Sequence, residues 1–366
     1  MDKSHVTQLH IDLNAVKFNL NHFQSLIEKH SNVIAMVKAY AYGHDAVAIA
    51  KAIEDQVHYF AVAYADEGIV LRDSGIKKPI MILHPQLENV ALMIEHHLEP
   101  CIYNFRILGK FITVCSLQEI EQYPVHLKFN SGMNRLGFVE EQLNDVLFQT
   151  NHTDVIKVTT LFSHLGASED PNEKAFTLNQ INWFKQISDR YIKGYKHEVK
   201  RHMSNTSGII NYPEAHFDLV RLGIGLYGFA NHPEETAKLK PVAKLTSVIS
   251  QIHYLKPGDS LGYNKGFVAQ KDTTSATIPI GHADGIDRRL GKEKGYVTIN
   301  NQKAPILGNV CMDIIMVDVT EITCQEGDQV IVFDNQETVE DIATITDTIS
   351  YEVITGIGQR IKRVIE

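Results

Sequence analysis

Eight short apolar runs punctuate the first two-thirds of the chain, at residues 33–37, 59–63, 79–83, 98–102, 125–129, 157–162, 199–203 and 219–222. They are apolar at most positions rather than at alternate ones, the pattern of strands buried on both faces. Amphipathic stretches lie between them, at 14–30, 45–55, 89–97, 141–149 and 174–191. In the first of these Val16, Leu20, Phe23 and Ile27 recur at spacings of three and four, the period of a helix. Eight strand–helix units predict an α/β fold with a (β/α)8 TIM-type barrel. A doubly wound sheet would accommodate the same count. Between Cys101 and Tyr123 the pattern reads two ways, because 112–115 suits a strand as well as a helix.

Beyond residue 229 the texture changes. Asn231-His232-Pro233-Glu234-Glu235 reads as a linker, and helical periodicity gives way to strands at 242–255, 274–280, 296–299, 314–319 and 329–333. Pro-Gly-Asp, Gly-Lys-Glu and Glu-Gly-Asp turns separate them. The expectation is two domains, a barrel over 1–230 and a mostly-β domain over 231–366. A chain of 366 residues is long enough to need both.

Composition narrows the chemistry. With 35 basic against 44 acidic residues the net charge is −9, which argues against a phosphate-backbone binder and so against nucleic acid. Neither an apolar leader at Met1–Gln8 nor an 18-residue apolar stretch is present, so the expectation is a cytoplasmic protein without a membrane span. Four scattered cysteines (Cys101, Cys115, Cys311, Cys324) read as free thiols. GxGxxG and GxxxxGK[ST] are both absent.

The most informative segment is Val33-Ile34-Ala35-Met36-Val37-Lys38-Ala39-Tyr40-Ala41-Tyr42-Gly43-His44. A lysine that ends an apolar barrel strand stands at the catalytic mouth. There its amine can lose a proton easily enough for Schiff-base chemistry, or it can simply reach solvent. The segment resembles the pyridoxal-phosphate lysine motif of the alanine racemase family, VVKANAYGHG, with Tyr40 for the usual Asn and Asp45 for the last Gly. The resemblance continues in register through Lys128-Phe129-Asn130-Ser131-Gly132-Met133-Asn134-Arg135-Leu136-Gly137, Phe162-Ser163-His164-Leu165 and His202-Met203-Ser204-Asn205-Thr206. Val220-Arg221-Leu222-Gly223-Ile224-Gly225-Leu226-Tyr227-Gly228 follows. In the second domain Ile278-Pro279-Ile280-Gly281-His282-Ala283-Asp284-Gly285 and Gly308-Asn309-Val310-Cys311-Met312-Asp313 complete it.

This resemblance implies a fold-type III pyridoxal 5'-phosphate enzyme, a homodimer with shared active sites that interconverts L- and D-alanine, with D-alanine serving peptidoglycan. Lys38 would hold the cofactor covalently, and Tyr42, Asn205, Thr206, Gly223, Ile224 and Tyr351 would surround it. Arg221 would face the pyridine nitrogen, braced by His164. An arginine only donates, so the nitrogen opposite stays unprotonated. Arg221 paired with Asp218 as a structural ion pair is the plainer alternative. Lys38 and Tyr263 would exchange the α-proton on opposite faces, Tyr263 coming from the partner subunit with His202 as its hydrogen-bond partner. Arg135 and the Met312 N–H would hold the substrate carboxylate. Lys128, often carbamylated in this family, would orient Arg135. Cys311 and Asp313 support the motif, and Cys311 gains no nucleophilic role. No metal is expected. His282, Thr206 and Asn264 depart from the family's usual residues.

Three other readings remain open on the sequence. Basic amino-acid decarboxylases share the architecture but favour an acid where Arg221 stands. Single-barrel pyridoxal-phosphate carriers share the lysine strand but lack a second domain. A serine or broad-specificity amino-acid racemase shares every motif above.

Overall fold

In the computed structural model, which describes residues 5–366, the eight apolar runs pair in chain order. A short strand, β1 (Gln8–Ile11), precedes them. Then come β2 (Asn32–Met36), β3 (Tyr59–Val62), β4 (Ile80–Ile82), β5 (Leu98–Ile102), β6 (Tyr123–Lys128), β7 (Ile156–Phe162), β8 (Lys200–His202) and β9 (Leu219–Leu222). Strands β2 to β9 form one closed parallel barrel. β9 returns beside β2 with Arg221 opposite Ile34. A parallel strand in a barrel is covered by side chains within and helices without, which is why the runs needed to be apolar throughout.

The helices carry local start signals. Asp12 caps Leu13–Leu26 by accepting from the N–H groups of Asn14 (2.7 Å) and Ala15 (3.0 Å), and Val16, Leu20 and Phe23 form its buried face. The ambiguous stretch before Tyr123 is a helix, Phe105–Leu117. Asn104 caps it through the Ile107 N–H, and Ile107, Leu108, Phe111 and Cys115 are buried along one side. The strand reading of 112–115 fails because only one face of that stretch is covered.

The second layer comprises β10 (Ala243–Val248), β11 (Gln251–Leu255), β12 (Ser260–Leu261), β13 (Phe267–Val268), β14 (Thr273–Ile278), β15 (Tyr296–Ile299), β16 (Gln302–Leu307), β17 (Ile315–Asp318), β18 (Gln329–Phe333) and β19 (Lys362–Ile365). Nine strands make one sheet in the order β11-β14-β17-β16-β15-β18-β10-β1-β19. One expectation needs correction here. β1 lies antiparallel to β10 and parallel to β19, so the chain's first strand belongs to the second layer and not to a barrel unit spanning 1–230. Of that range, residues 1–4 lie outside the described residues. The second domain is mostly β, as expected: helices Gln336–Ile345 and Ser350–Thr355 interrupt its strands, and the expected linker carries the short helix Pro233–Thr236. Val339 and Ala343 give the first of those two helices its buried edge.

These interruptions position the barrel mouth. Helix Ser350–Thr355 packs on the loop after β2, where a Cβ on Gly43 would lie 2.1 Å from the Ile354 carbonyl oxygen. Arg363 of β19 fastens the same loop, donating to the carbonyls of Gly43 (2.9 Å) and Ile357 (3.1 Å). Gly43 also has φ +87°, which L side chains rarely adopt. Gly43→Ala should therefore lower stability by about 3 kcal/mol in denaturant unfolding.

Candidate active site

The residues just after β2 take an unusual path. Ala39, Tyr40, Ala41 and Tyr42 all adopt left-handed conformations, with φ between 52° and 55°. Such conformations cost about 1–2 kcal/mol per non-glycine residue, so the surroundings must impose them. Glu67 accepts the Ala39 N–H at 2.5 Å, and His44 Nδ1 donates to the carbonyls of Ala41 and Tyr42, both at 2.9 Å. Tyr227 donates to the Met36 carbonyl at 2.8 Å and stacks on Tyr42 with ring centroids 4.6 Å apart. This frame presents Lys38 to a cavity of about 530 Å³, a size suited to a small organic cofactor.

Lys38, Lys128, Arg135 and Arg221 all line that cavity, and no carboxylate does. Four cations on a wall with no lining carboxylate make a site for an anionic ligand. Burial, then the Arg135 charge, lowers the Lys38 pKa. Burial, then the Arg221 charge, brings Lys128 down to about 8. Both amines are thereby moved toward the neutral form that can act as nucleophile or base.

Arg221 is the best-held group. Its Nη1 donates to His202 Nδ1 at 2.6 Å, and its Nη2 to His164 Nδ1 at 2.9 Å and to the carbonyls of Ser163 and Met203, both at 2.8 Å. The Phe162 ring lies 5.6 Å from the guanidinium carbon. Burial lowers the Arg221 pKa to about 10. Burial followed by the Arg221 charge keeps both histidines far below their usual pKa, hence neutral acceptors. The ion-pair alternative fails, since Asp218 instead accepts the Arg201 N–H at 2.7 Å.

His164 thus braces Arg221 as expected and also lines the cavity. His202 does not stand where the sequence reading put it. It is fully buried behind Arg221 and spends its two nitrogens on Arg221 and Thr160 (3.0 Å), so it cannot reach a phenol supplied from outside. Between two histidines near one arginine, sequence could not tell which side each faces.

Tyr42, Tyr351, Thr206, Gly223 and Ile224 line the same cavity. Thr206 Oγ1 accepts from the N–H groups of Gly223 and Gly225, both at 3.3 Å. A Cβ on Gly223 would sit 2.7 Å from Tyr42 Oη, so only glycine leaves this cradle open. Asn205 lines the cavity while accepting from the Gly208 N–H (2.9 Å) and Ser168 Oγ (2.8 Å). Tyr351 reaches the cavity from the second layer, so it is not a surface tyrosine.

The remaining expected residues lie elsewhere in the single chain. Tyr263 is 75% exposed and Met312 59% exposed, and with Cys311 and Asp313 they line a separate surface hollow. Asp313 pairs with Arg360, which also clasps Asp284. Burial raises the Cys311 thiol, in keeping with no nucleophilic role. Sequence reasoning missed Phe162, Tyr64 and His84 of the cavity wall. For Phe162 a signal existed: it ends an apolar run directly before Ser163-His164.

The donor set suits pyridoxal phosphate: a desolvated lysine, a hydroxyl-and-amide cradle for a phosphate and a charged donor for a ring nitrogen. Among the described residues, no helix is long and apolar enough to cross a membrane. Comparison with known proteins points the same way. Residues 11–231 match the family profile "Alanine racemase, N-terminal domain" and residues 242–365 match "Alanine racemase, C-terminal domain". The alanine racemase of Halothermothrix orenii is 34% identical over 371 residues, spanning 98% of this chain and 96% of its own. That of Clostridium kluyveri is 33% identical over 96% of this chain and 92% of its own. Among solved structures, alanine racemase from Clostridium difficile 630 superposes with TM-score 0.93 at 33% identity, covering 99% of this chain and 96% of that one. The Bartonella henselae alanine racemase, solved with covalently bound pyridoxal phosphate, gives TM-score 0.87 at 28% identity over 99% and 100%. With both family domains matched in order along almost its whole length, this chain belongs to the alanine racemase family.

Proposed function

We propose that the chain is a pyridoxal-phosphate-dependent racemase that interconverts L- and D-alanine in sites shared between two copies. The observation that carries this is the cavity itself: a desolvated Lys38 and a buried Arg221 line it together, with no carboxylate among the described residues that line it. Bound there, the cofactor withdraws electrons from the substrate's α-carbon and makes its proton labile. Arg221 keeps the ring nitrogen unprotonated because it has only N–H to offer, which restrains the electron pull and favours return of a proton to the same carbon.

Lys38, lowered in pKa by burial, takes or returns the proton on one face. Tyr263 of the partner subunit does so on the other. Its exposure, together with that of Tyr254, Met312 and Ile314 of the same layer, supports a face that a second copy covers. His164, whose Nδ1 accepts from Arg221, keeps its proton on Nε2 and is the histidine available to that phenol. Arg135, with the Met312 N–H of the partner subunit, holds the substrate carboxylate. At a pKa of about 8 a useful fraction of Lys128 is neutral near physiological pH, and a carbamate there would offset the surplus of cations around Arg135.

Arg221→Glu would replace a donor with a group that can accept. Racemisation should fall by about 100-fold, and pyruvate from transamination should appear in a lactate-dehydrogenase-coupled assay. An unchanged product ratio would count against Arg221's contact with the ring. The function as a whole is tested by coupled D-amino-acid detection over a panel of L-amino acids, with and without added pyridoxal phosphate. D-Alanine formed fastest, and only with cofactor, is the expected result. Faster turnover of serine would overturn the substrate assignment.

A further inference from the structure

Five consecutive barrel strands each contribute one polar side chain to a single buried path. Arg221 of β9 donates to His202 Nδ1 of β8 at 2.6 Å. His202 Nε2 lies 3.0 Å from Thr160 Oγ1 of β7, which lies 2.8 Å from His126 Nδ1 of β6. His126 Nε2 then lies 2.9 Å from a carboxylate oxygen of Glu99 on β5. All five residues are buried. Barrel interiors are ordinarily filled by branched aliphatic side chains, and a polar belt is costly there unless its members satisfy one another.

With both imidazole rings neutral, the two ends fix where every proton lies. Arginine only donates, so His202 Nδ1 accepts and its proton sits on Nε2. That N–H goes to Thr160 Oγ1, which leaves the threonine proton for His126 Nδ1. His126 therefore carries its proton on Nε2, facing a carboxylate that only accepts. Thr159 Oγ1, 3.3 Å from His126 Nδ1, gives its own proton to the Val125 carbonyl at 3.0 Å and so does not donate to that nitrogen. The last contact is short without the alignment of a hydrogen bond, and among the described residues His126 Nε2 and that Glu99 oxygen have no other hydrogen-bonding partner.

We propose that Glu99, His126 and Thr160 are positioning residues for Arg221. Their donors run one way from guanidinium to carboxylate, so Glu99 supplies through four contacts the counter-charge that the cavity wall lacks. The kinetic consequence rests on the racemase reading, whereas the proton positions do not.

The first test uses holoenzyme labelled with 15N at histidine and long-range proton–nitrogen correlation spectra. Neutral Nε2–H rings at both His126 and His202 are expected. A proton on His126 Nδ1, or double protonation of either ring, overturns the proposal. Thr160→Val should free His126 to exchange between tautomers, and an unchanged His126 spectrum would contradict the link.

The second test is kinetic. Glu99→Gln keeps the shape but removes the charge, so kcat should fall about 10-fold while KM stays within about twofold. In a Thr160→Val background, where the path is already cut, the same substitution should cost less than about twofold. Losses that simply add would mark both residues as structural and overturn the proposal. A wild-type protein with no racemase activity would instead contradict the functional reading and leave the tautomer test standing.

Discussion

Lys38→Ala should yield a folded protein that no longer holds pyridoxal phosphate covalently and racemises alanine at least roughly 10⁴-fold more slowly. In the proposed reaction the side chain is needed twice, as the amine that bonds the cofactor and as the base on one face of the α-carbon. Lys128 lines the same cavity, but its amine is held beside Phe162, 5.7 Å from the ring centroid. The left-handed turn that follows Lys38 is fixed by Glu67, His44 and Tyr227, so the truncation should leave the loop and the fold intact. Borohydride reduction followed by peptide mapping checks this. Wild-type label should fall on Lys38, and label that persists in the variant on Lys128 would reassign the attachment.

A mixture of two inactive variants should recover activity. Lys38→Ala dimers lack one acid/base group in both sites, and Tyr263→Ala dimers lack the other. If each site takes Lys38 from one copy and Tyr263 from its partner, a mixed dimer has one doubly damaged site and one intact site. Random pairing makes about half the dimers mixed, so active sites should return to about a quarter of the wild-type number. A site built within one copy predicts no recovery at all. Two affinity tags isolate the mixed species, and an inactive mixed dimer with cofactor bound would remove Tyr263 from the partner's site. The exposure of Tyr263 in the single chain is what makes this outcome expected.

The barrel was legible because its strands are covered on both sides, which forces apolar runs that need no partner to be recognised. β1 was not legible. Its four residues alternate in burial, and its neighbours, Thr246 and Lys362 opposite Gln8, lie more than 200 positions away. Nor was the split of 242–255 into β10 and β11, where a turn at Ile249-Ser250 sends one apolar stretch to two distant places in the sheet. In the site, the motifs brought Lys38, Arg135, His164 and Arg221 to one cavity. They could not tell that His202 faces away from it, since that depends on which flank of β8 the ring occupies against Phe162, its stacking partner at 4.8 Å. Glu99 and His126 did leave a mark in the sequence: each places a polar group inside an otherwise largely apolar strand.

The central claim is that one proton is removed from the α-carbon on one face while another is delivered from a different group on the opposite face. Running the reaction in D2O from L-alanine tests it most directly, with chiral separation and mass analysis of substrate and product during the first few per cent of conversion. Two separate groups predict D-alanine that carries α-deuterium while the remaining L-alanine still carries protium. D-Alanine that retains the original proton would mean that one group serves both faces and would contradict the account.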